Sequence, residues 1–129
     1  MQKILVPTDF SDNALKAVGY AAEIAKKSGA TIFLLHVIEP AINMVTMQSD
    51  SSGKKVVKAR KAKLNLSLKS IAGVYPGVKV IPYLAGGSVI PSILQYAEKE
   101  NMDLIIMGTK GASGLKRLFI GSVTAGVIG

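Results

Sequence analysis

Glycines and a serine stand where backbone atoms can meet a phosphate. Gly108, Gly111 and the pair Gly121-Ser122 give the spacing G-x2-G-x9-G-S, between an apolar strand-like run and a segment that reads as a helix start at Ser122. Glycine lets the chain approach a ligand closely and adopt positive φ. The N–H groups at a helix N-terminus, with the positive end of its dipole, form an anion site. Ser122 and Thr124 add hydroxyl donors, and Lys110, Lys116 and Arg117 bring positive charge into the segment. Two commoner phosphate motifs are excluded, because neither G-x4-G-K-[ST] nor G-x-G-x-x-G occurs. The plain alternative is a flexible, hairpin-like connection that needs glycine for its turns.

Two further residues invite a chemical role. Asp9 is the only carboxylate close to the end of the first apolar run, placed to help hold a divalent ion such as Mg2+ or Mn2+, or else to cap the helix that follows. His36 is the only histidine and lies inside an apolar strand, with no second histidine and no cysteine to complete a metal set. Its expected state is packed and hydrogen-bonded, since a ring without an orienting partner makes a poor base. No positioned base is evident near the glycine-rich segment, so no catalytic residue is assigned and hydrolysis of any bound phosphate ester is expected to be weak at most.

The elements that must position these residues follow from periodicity. Lys3–Pro7 reads as a short buried strand. A helix capped by Ser11 follows, with Ala14, Val18, Ala21, Ala22 and Ala25 as its apolar stripe and Gly29 as its stop. Thr31–Val37 is a second, nearly continuous apolar strand, as expected when both sheet faces are covered. Periodicity is lost from Glu39 to Gly53. A helix of about Lys54–Ala72 turns Val57, Leu64, Leu68 and Ile71 to the core. A third strand spans Val78–Leu84, a helix opened by Gly86-Gly87 and Ser88 buries Ile90, Ile93, Leu94 and Ala97, and Asp103–Met107 is the fourth strand. Strand and helix alternate four times, which predicts an open, doubly wound parallel α/β sheet, Rossmann-like, with its ligand beyond the carboxyl ends of the strands. The loops after Pro7, Val37, Leu84 and Met107 are therefore the ones to inspect.

Composition narrows the classes. At 129 residues with 49% hydrophobic content, the chain fits one domain with a real core. No apolar run approaches a membrane span, and the start lacks a signal-peptide cleavage pattern. Cysteine is absent, which excludes disulfides and thiolate metal sites and suits a reducing cytoplasm. The net charge of +8 raises nucleic acid as a partner. However, seven of the sixteen basic residues (Lys54, Lys55, Lys58, Arg60, Lys61, Lys63 and Lys69) fall on one helix, where a solvated face is the expected role. Docking of that helix on nucleic acid or an acidic partner is the alternative, and the scarcity of aromatics weighs against base stacking.

The opening Ile4-Leu5-Val6-Pro7-Thr8-Asp9-Phe10-Ser11, the strand end Leu35-His36-Val37, the run Asp103–Gly108 and the segment Gly108–Thr124 together resemble the universal stress protein family across essentially the whole chain. The glycine-serine spacing resembles that of the family's ATP-binding subclass. The resemblance implies a five-stranded parallel sheet of the adenine nucleotide alpha hydrolase-like type, bound ATP or a related nucleotide, frequent homodimers and a regulatory role under stress. It implies adenine and ribose near Pro7, Thr8, Asp9 and Val37, with Met107 and Gly108 on the base side. Phosphates would meet Gly111, Gly121, Ser122, Val123 and Thr124. The resemblance also implies a fifth strand after a last helix, which this sequence does not reach. A fragment, one half of a tandem protein, or an uncovered edge at the fourth strand is the corresponding expectation.

Overall fold

The computed structural model describes residues 2–39, 51–110, 116–124 and 127–128. Four strands, β1 (Lys3–Pro7), β2 (Thr31–Ile38), β3 (Val80–Gly86) and β4 (Leu104–Lys110), alternate with three helices, α1 (Asp12–Ser28), α2 (Ser51–Val74) and α3 (Val89–Lys99). Two more strands, β5 (Lys116–Thr124) and β6 (Val127–Ile128), follow β4. The sheet order is β3-β2-β1-β4-β5-β6. Pairing is parallel from β3 through β4 and antiparallel from β4 to β5 and β6.

The parallel strands are apolar on both faces because helices cover both. Alternation along β1 sends Ile4 and Val6 to one side and Leu5 to the other. On the first side, Ile32, Leu34 and Ile106 pack with them against Ala17, Ala21 and Ala22 of α1 and Leu64 and Ile71 of α2. On the second, Leu35, Ile105 and Met102 pack with Leu5 against Ile93 and Ala97 of α3. The alanine stripe of α1 lets that helix lie close to the sheet. Its N-terminus is closed by Ser11, whose side chain accepts from the Ala14 N–H, and its C-terminus by Gly29 at φ 75°. At the opposite end of the sheet from the site described below, the Asp103 carboxylate accepts the Gln2 and Lys3 N–H groups, both at 2.9 Å, and fastens the start of β1 beside β4.

Three expectations are corrected. The expected helix start at Ser122 is strand: β5 runs from Lys116 through Ser122 to Thr124, so β4 has a paired edge and strands beyond the fourth are present. Leu118, Phe119, Ile120, Val123 and Thr124 suit a strand, while Gly121 costs on the order of 1 kcal/mol in a helix interior. Val57, Ile90 and Leu94, assigned to the core, are 47%, 54% and 43% exposed. Finally, α2 begins at Ser51, inside the stretch read as aperiodic; residues 40–50 of that stretch lie outside the described residues.

Candidate nucleotide site

In the order β3-β2-β1-β4 the chain leaves β1 in one direction to build β2 and β3 and returns to its other side for β4. The switch point therefore lies between β1 and β4, where helix connections diverge and leave a crevice at the carboxyl ends of the strands. A cleft of about 120 Å³ opens there. Its lining combines Pro7, Thr8 and Asp9 after β1, Leu35, His36 and Val37 of β2, Met107 and Gly108 of β4, Ala14 of α1, and Val89 and Ile93 of α3. The walls are mostly apolar, with a few polar groups at the mouth, the usual character of a small-molecule site.

The β1–α1 turn is shaped by its own side chains. Thr8 Oγ1 accepts the Phe10 N–H at 3.0 Å, and Asp9 Oδ1 accepts the Ser11 N–H at 2.9 Å. The Ser11 hydrogen bonds hold the Asp9 carboxyl below the usual carboxylate range against a partial desolvation that would raise it. Asp9 is thus exposed and ionised at the mouth of the cleft, and the helix cap is Ser11 rather than Asp9. Phe10 sits at φ 67°, a left-handed conformation that a bulky residue rarely adopts. Its ring packs on the His36 ring at a centroid distance of 4.4 Å, and the Lys63 ammonium lies over it, 5.8 Å from its centroid.

His36 is 4% exposed and has a partner at each nitrogen. Nδ1 is 2.7 Å from the Thr8 carbonyl oxygen and Nε2 is 2.8 Å from Arg60 Nη1. A carbonyl only accepts and a guanidinium only donates, so the ring is neutral, protonated at Nδ1 and bearing its lone pair at Nε2. Burial holds its pKa below the ordinary histidine value, with the Arg60 and Lys63 charges acting in the same direction. With Nε2 already accepting from Arg60, no ring nitrogen is left to act as a base. The expectation of a packed, hydrogen-bonded histidine holds.

Arg60 itself was grouped with the solvated basic face. The sequence did contain a signal against that: Arg60 stands four residues before Leu64 and eleven before Ile71, on the stripe that faces the core. Lys54, Lys55, Lys58, Lys61 and Lys69 are exposed, as expected of a solvated face.

Of the eleven residues singled out for a nucleotide, the structure gathers Pro7, Thr8, Asp9, Val37, Met107 and Gly108 around one cleft. It does not bring Gly121–Thr124 there. In the antiparallel register Gly121 faces Ile105 and Ser122 faces Leu104, at the amino end of β4, with Val123 and Thr124 beyond. Gly111 lies outside the described residues. Gly108 has a second role that spacing alone did not reveal: a Cβ built on it would stand 2.7 Å from Asn13 Nδ2 and 2.7 Å from the Asn13 carbonyl oxygen. A lone carboxylate does not make a divalent-ion site, and no group of three His, Cys, Asp or Glu side chains suited to a metal occurs among the described residues. None of the described helices is long and apolar enough to cross a membrane.

Comparison with known proteins agrees with this architecture. The Universal stress protein family matches residues 1–129. Universal stress protein MJ0531 of Methanocaldococcus jannaschii is 33% identical over 129 residues, covering 98% of this chain and 75% of that protein. The solved structure of MJ0577, a universal stress protein from the same organism, superposes with a TM-score of 0.68 at 28% identity, covering 88% of this chain and 78% of that one. A universal stress protein solved in complex with cAMP shares the fold at a TM-score of 0.60 and 22% identity, over 81% of this chain and 69% of its own. With the family matched over its full length and the parallel α/β core shared with solved members, this chain belongs to the universal stress protein family.

Proposed function

We propose that the chain is a regulatory protein of the stress response that binds an adenine nucleotide, ATP foremost, in the cleft at the carboxyl ends of β1, β2 and β4. The observation that carries this reading is the convergence of Pro7, Thr8, Asp9, Val37, Met107 and Gly108 on a largely apolar crevice at the switch point. Val37 and Met107 offer an apolar surface to a purine, and Asp9 offers an ionised acceptor to ribose hydroxyls. The fold neighbour solved with cAMP holds an adenine nucleotide on the same architecture, which supports the ligand class. Mg2+ or Mn2+ would be carried by the nucleotide phosphates, since Asp9 alone does not make a divalent-ion site. Slow hydrolysis is the alternative activity: among the described residues at the cleft both nitrogens of His36 are engaged, and the ionised Asp9 is held by the Ser11 N–H.

Isothermal calorimetry with Mg-ATP, ADP, cAMP and adenosine tests the reading. Binding heat that Asp9→Ala weakens is the expected result, and no heat with any of the four ligands overturns it. Phosphate contacts from Gly111 and Gly121–Thr124 belong to the same proposal and require a placement of that segment other than its pairing along β4. Gly121→Val separates the two parts: ATP affinity is expected to fall at least tenfold while adenosine affinity stays the same. Equal affinity of the variant for ATP removes the segment from the site. A homodimer and a cytoplasmic setting complete the proposal; sedimentation equilibrium and cell fractionation test them.

A further inference from the structure

Arg60 on α2 reaches the nucleotide cleft only through His36. The chain of contacts is short: Arg60 Nη1–H donates to His36 Nε2 at 2.8 Å, and His36 Nδ1–H donates to the Thr8 carbonyl at 2.7 Å. Thr8 in turn accepts the Phe10 N–H on its hydroxyl, and the Phe10 ring lies on the face of His36. The turn carrying Thr8 and Asp9 contains a bulky residue at φ 67°, a conformation that persists only where surrounding contacts over-determine it. Those contacts include the His36 ring, the Lys63 ammonium of α2 and the Thr8 hydroxyl within the turn.

We infer that Arg60 and His36 are positioning residues that latch helix α2 to the β1–α1 turn, and that protonation of His36 opens the latch and weakens ligand binding in the cleft. This rests on the nucleotide reading above for its ligand, though not for the latch itself. The neutral ring accepts from Arg60; the protonated ring has no lone pair at Nε2 and places a second cation against the guanidinium. The charged groups facing His36 are Arg60 and Lys63 from α2 and Asp9 from the turn. Its neighbour on β3, Leu84, and the residues of α3 at the cleft, Val89 and Ile93, are apolar. Burial opposes the proton, as do the two cations, while the Thr8 carbonyl and one exposed carboxylate favour it; the balance lies below the ordinary histidine value, so the latch is closed at neutral pH and opens on acidification.

The test combines proton NMR titration of the His36 ring with ATP affinity measured from pH 5 to 8, in the wild type, Arg60→Ala and Arg60→Gln. In the wild type the ring is expected to titrate below the ordinary histidine value of 6.5, and the affinity to decline across the same interval. Arg60→Ala removes both charge and donor. Its His36 is expected to titrate at higher pH, with affinity at pH 8 reduced about tenfold by the unsatisfied buried acceptor. Arg60→Gln keeps an N–H donor without the charge, so His36 titrates higher while affinity at pH 8 is retained. A purely structural role for Arg60 would lower affinity equally at all pH values, leaving the midpoint of the profile unmoved, and that outcome overturns the inference. If no nucleotide binds at any pH, the proposed function is lost and the latch is judged in the free protein: the Asp9 and Phe10 amide resonances must shift with the His36 titration, and amides that ignore it overturn the latch.

Discussion

A Cβ on Gly108 would stand within 2.7 Å of both the side-chain amide and the carbonyl oxygen of Asn13, and one of these obstacles is backbone. The first turn of α1 therefore rests directly on the end of β4, and the need for glycine there is steric before it is ligand-related. Gly108→Ala is expected to destabilise the fold by about 1–3 kcal/mol, the usual cost of overpacking, measured by urea unfolding. A loss under about 0.5 kcal/mol would show that the helix end yields freely. Gly29 offers a contrast, since open space surrounds it and only its φ of 75° opposes a side chain. At this scale the Ser11 cap was legible, because short polar side chains act within two or three residues of themselves, whereas the alternative of Asp9 as the cap gave way to its hydrogen bond with the Ser11 N–H. The Asn13–Gly108 contact was not, because it joins residues 95 positions apart and spacing along the chain carries no trace of it.

Helix α2 shows how far periodicity reaches. Leu64 and Ile71 are 3% exposed, whereas Val57 on the same nominal stripe is 47% exposed. Leu64→Ala or Ile71→Ala is expected to cost about 2–5 kcal/mol and Val57→Ala under about 1 kcal/mol. A thermal-melt series in which Val57→Ala matches the other two would refute the difference. The parallel strands were readable because burial on both faces demands continuous Ile, Leu and Val, as in β1 and β2. The last segment was not readable as strand: its glycines and serine fit a phosphate loop opening a helix as well as they fit a strand, and the choice depends on the hydrogen-bonding edge that β4 presents. Arg60 was hidden for a related reason, since a long charged side chain on a lysine-rich helix looks solvated until its buried acceptor is known.

Across the whole molecule the titratable groups predict a stability profile falling in two acid steps. The folded pKa of His36 is held down by burial, so below pH 6.5 the unfolded chain takes up the proton first and stability declines as pH falls. The Asp103 carboxyl is held down by the Gln2 and Lys3 amides, so its contribution is present above pH 3.8 and is lost as pH falls through its lower folded value. Denaturant titrations across pH are expected to lose the first step in His36→Gln and to flatten the second in Asp103→Asn; a profile unchanged in both variants would contradict these assignments. The contact between Asn13 and Gly108 has its own consequence at this scale. Gly108 and Ala14 both line the cleft, so α1 is seated on the cleft wall through the side-chain amide and backbone of Asn13, with no side chain on the β4 side of the contact. A helix of 17 residues is a rod of about 25 Å. The seat at Asn13 therefore fixes the cleft end of that rod, and the alanine stripe packed on the sheet holds the rest of it in line as far as Ser28.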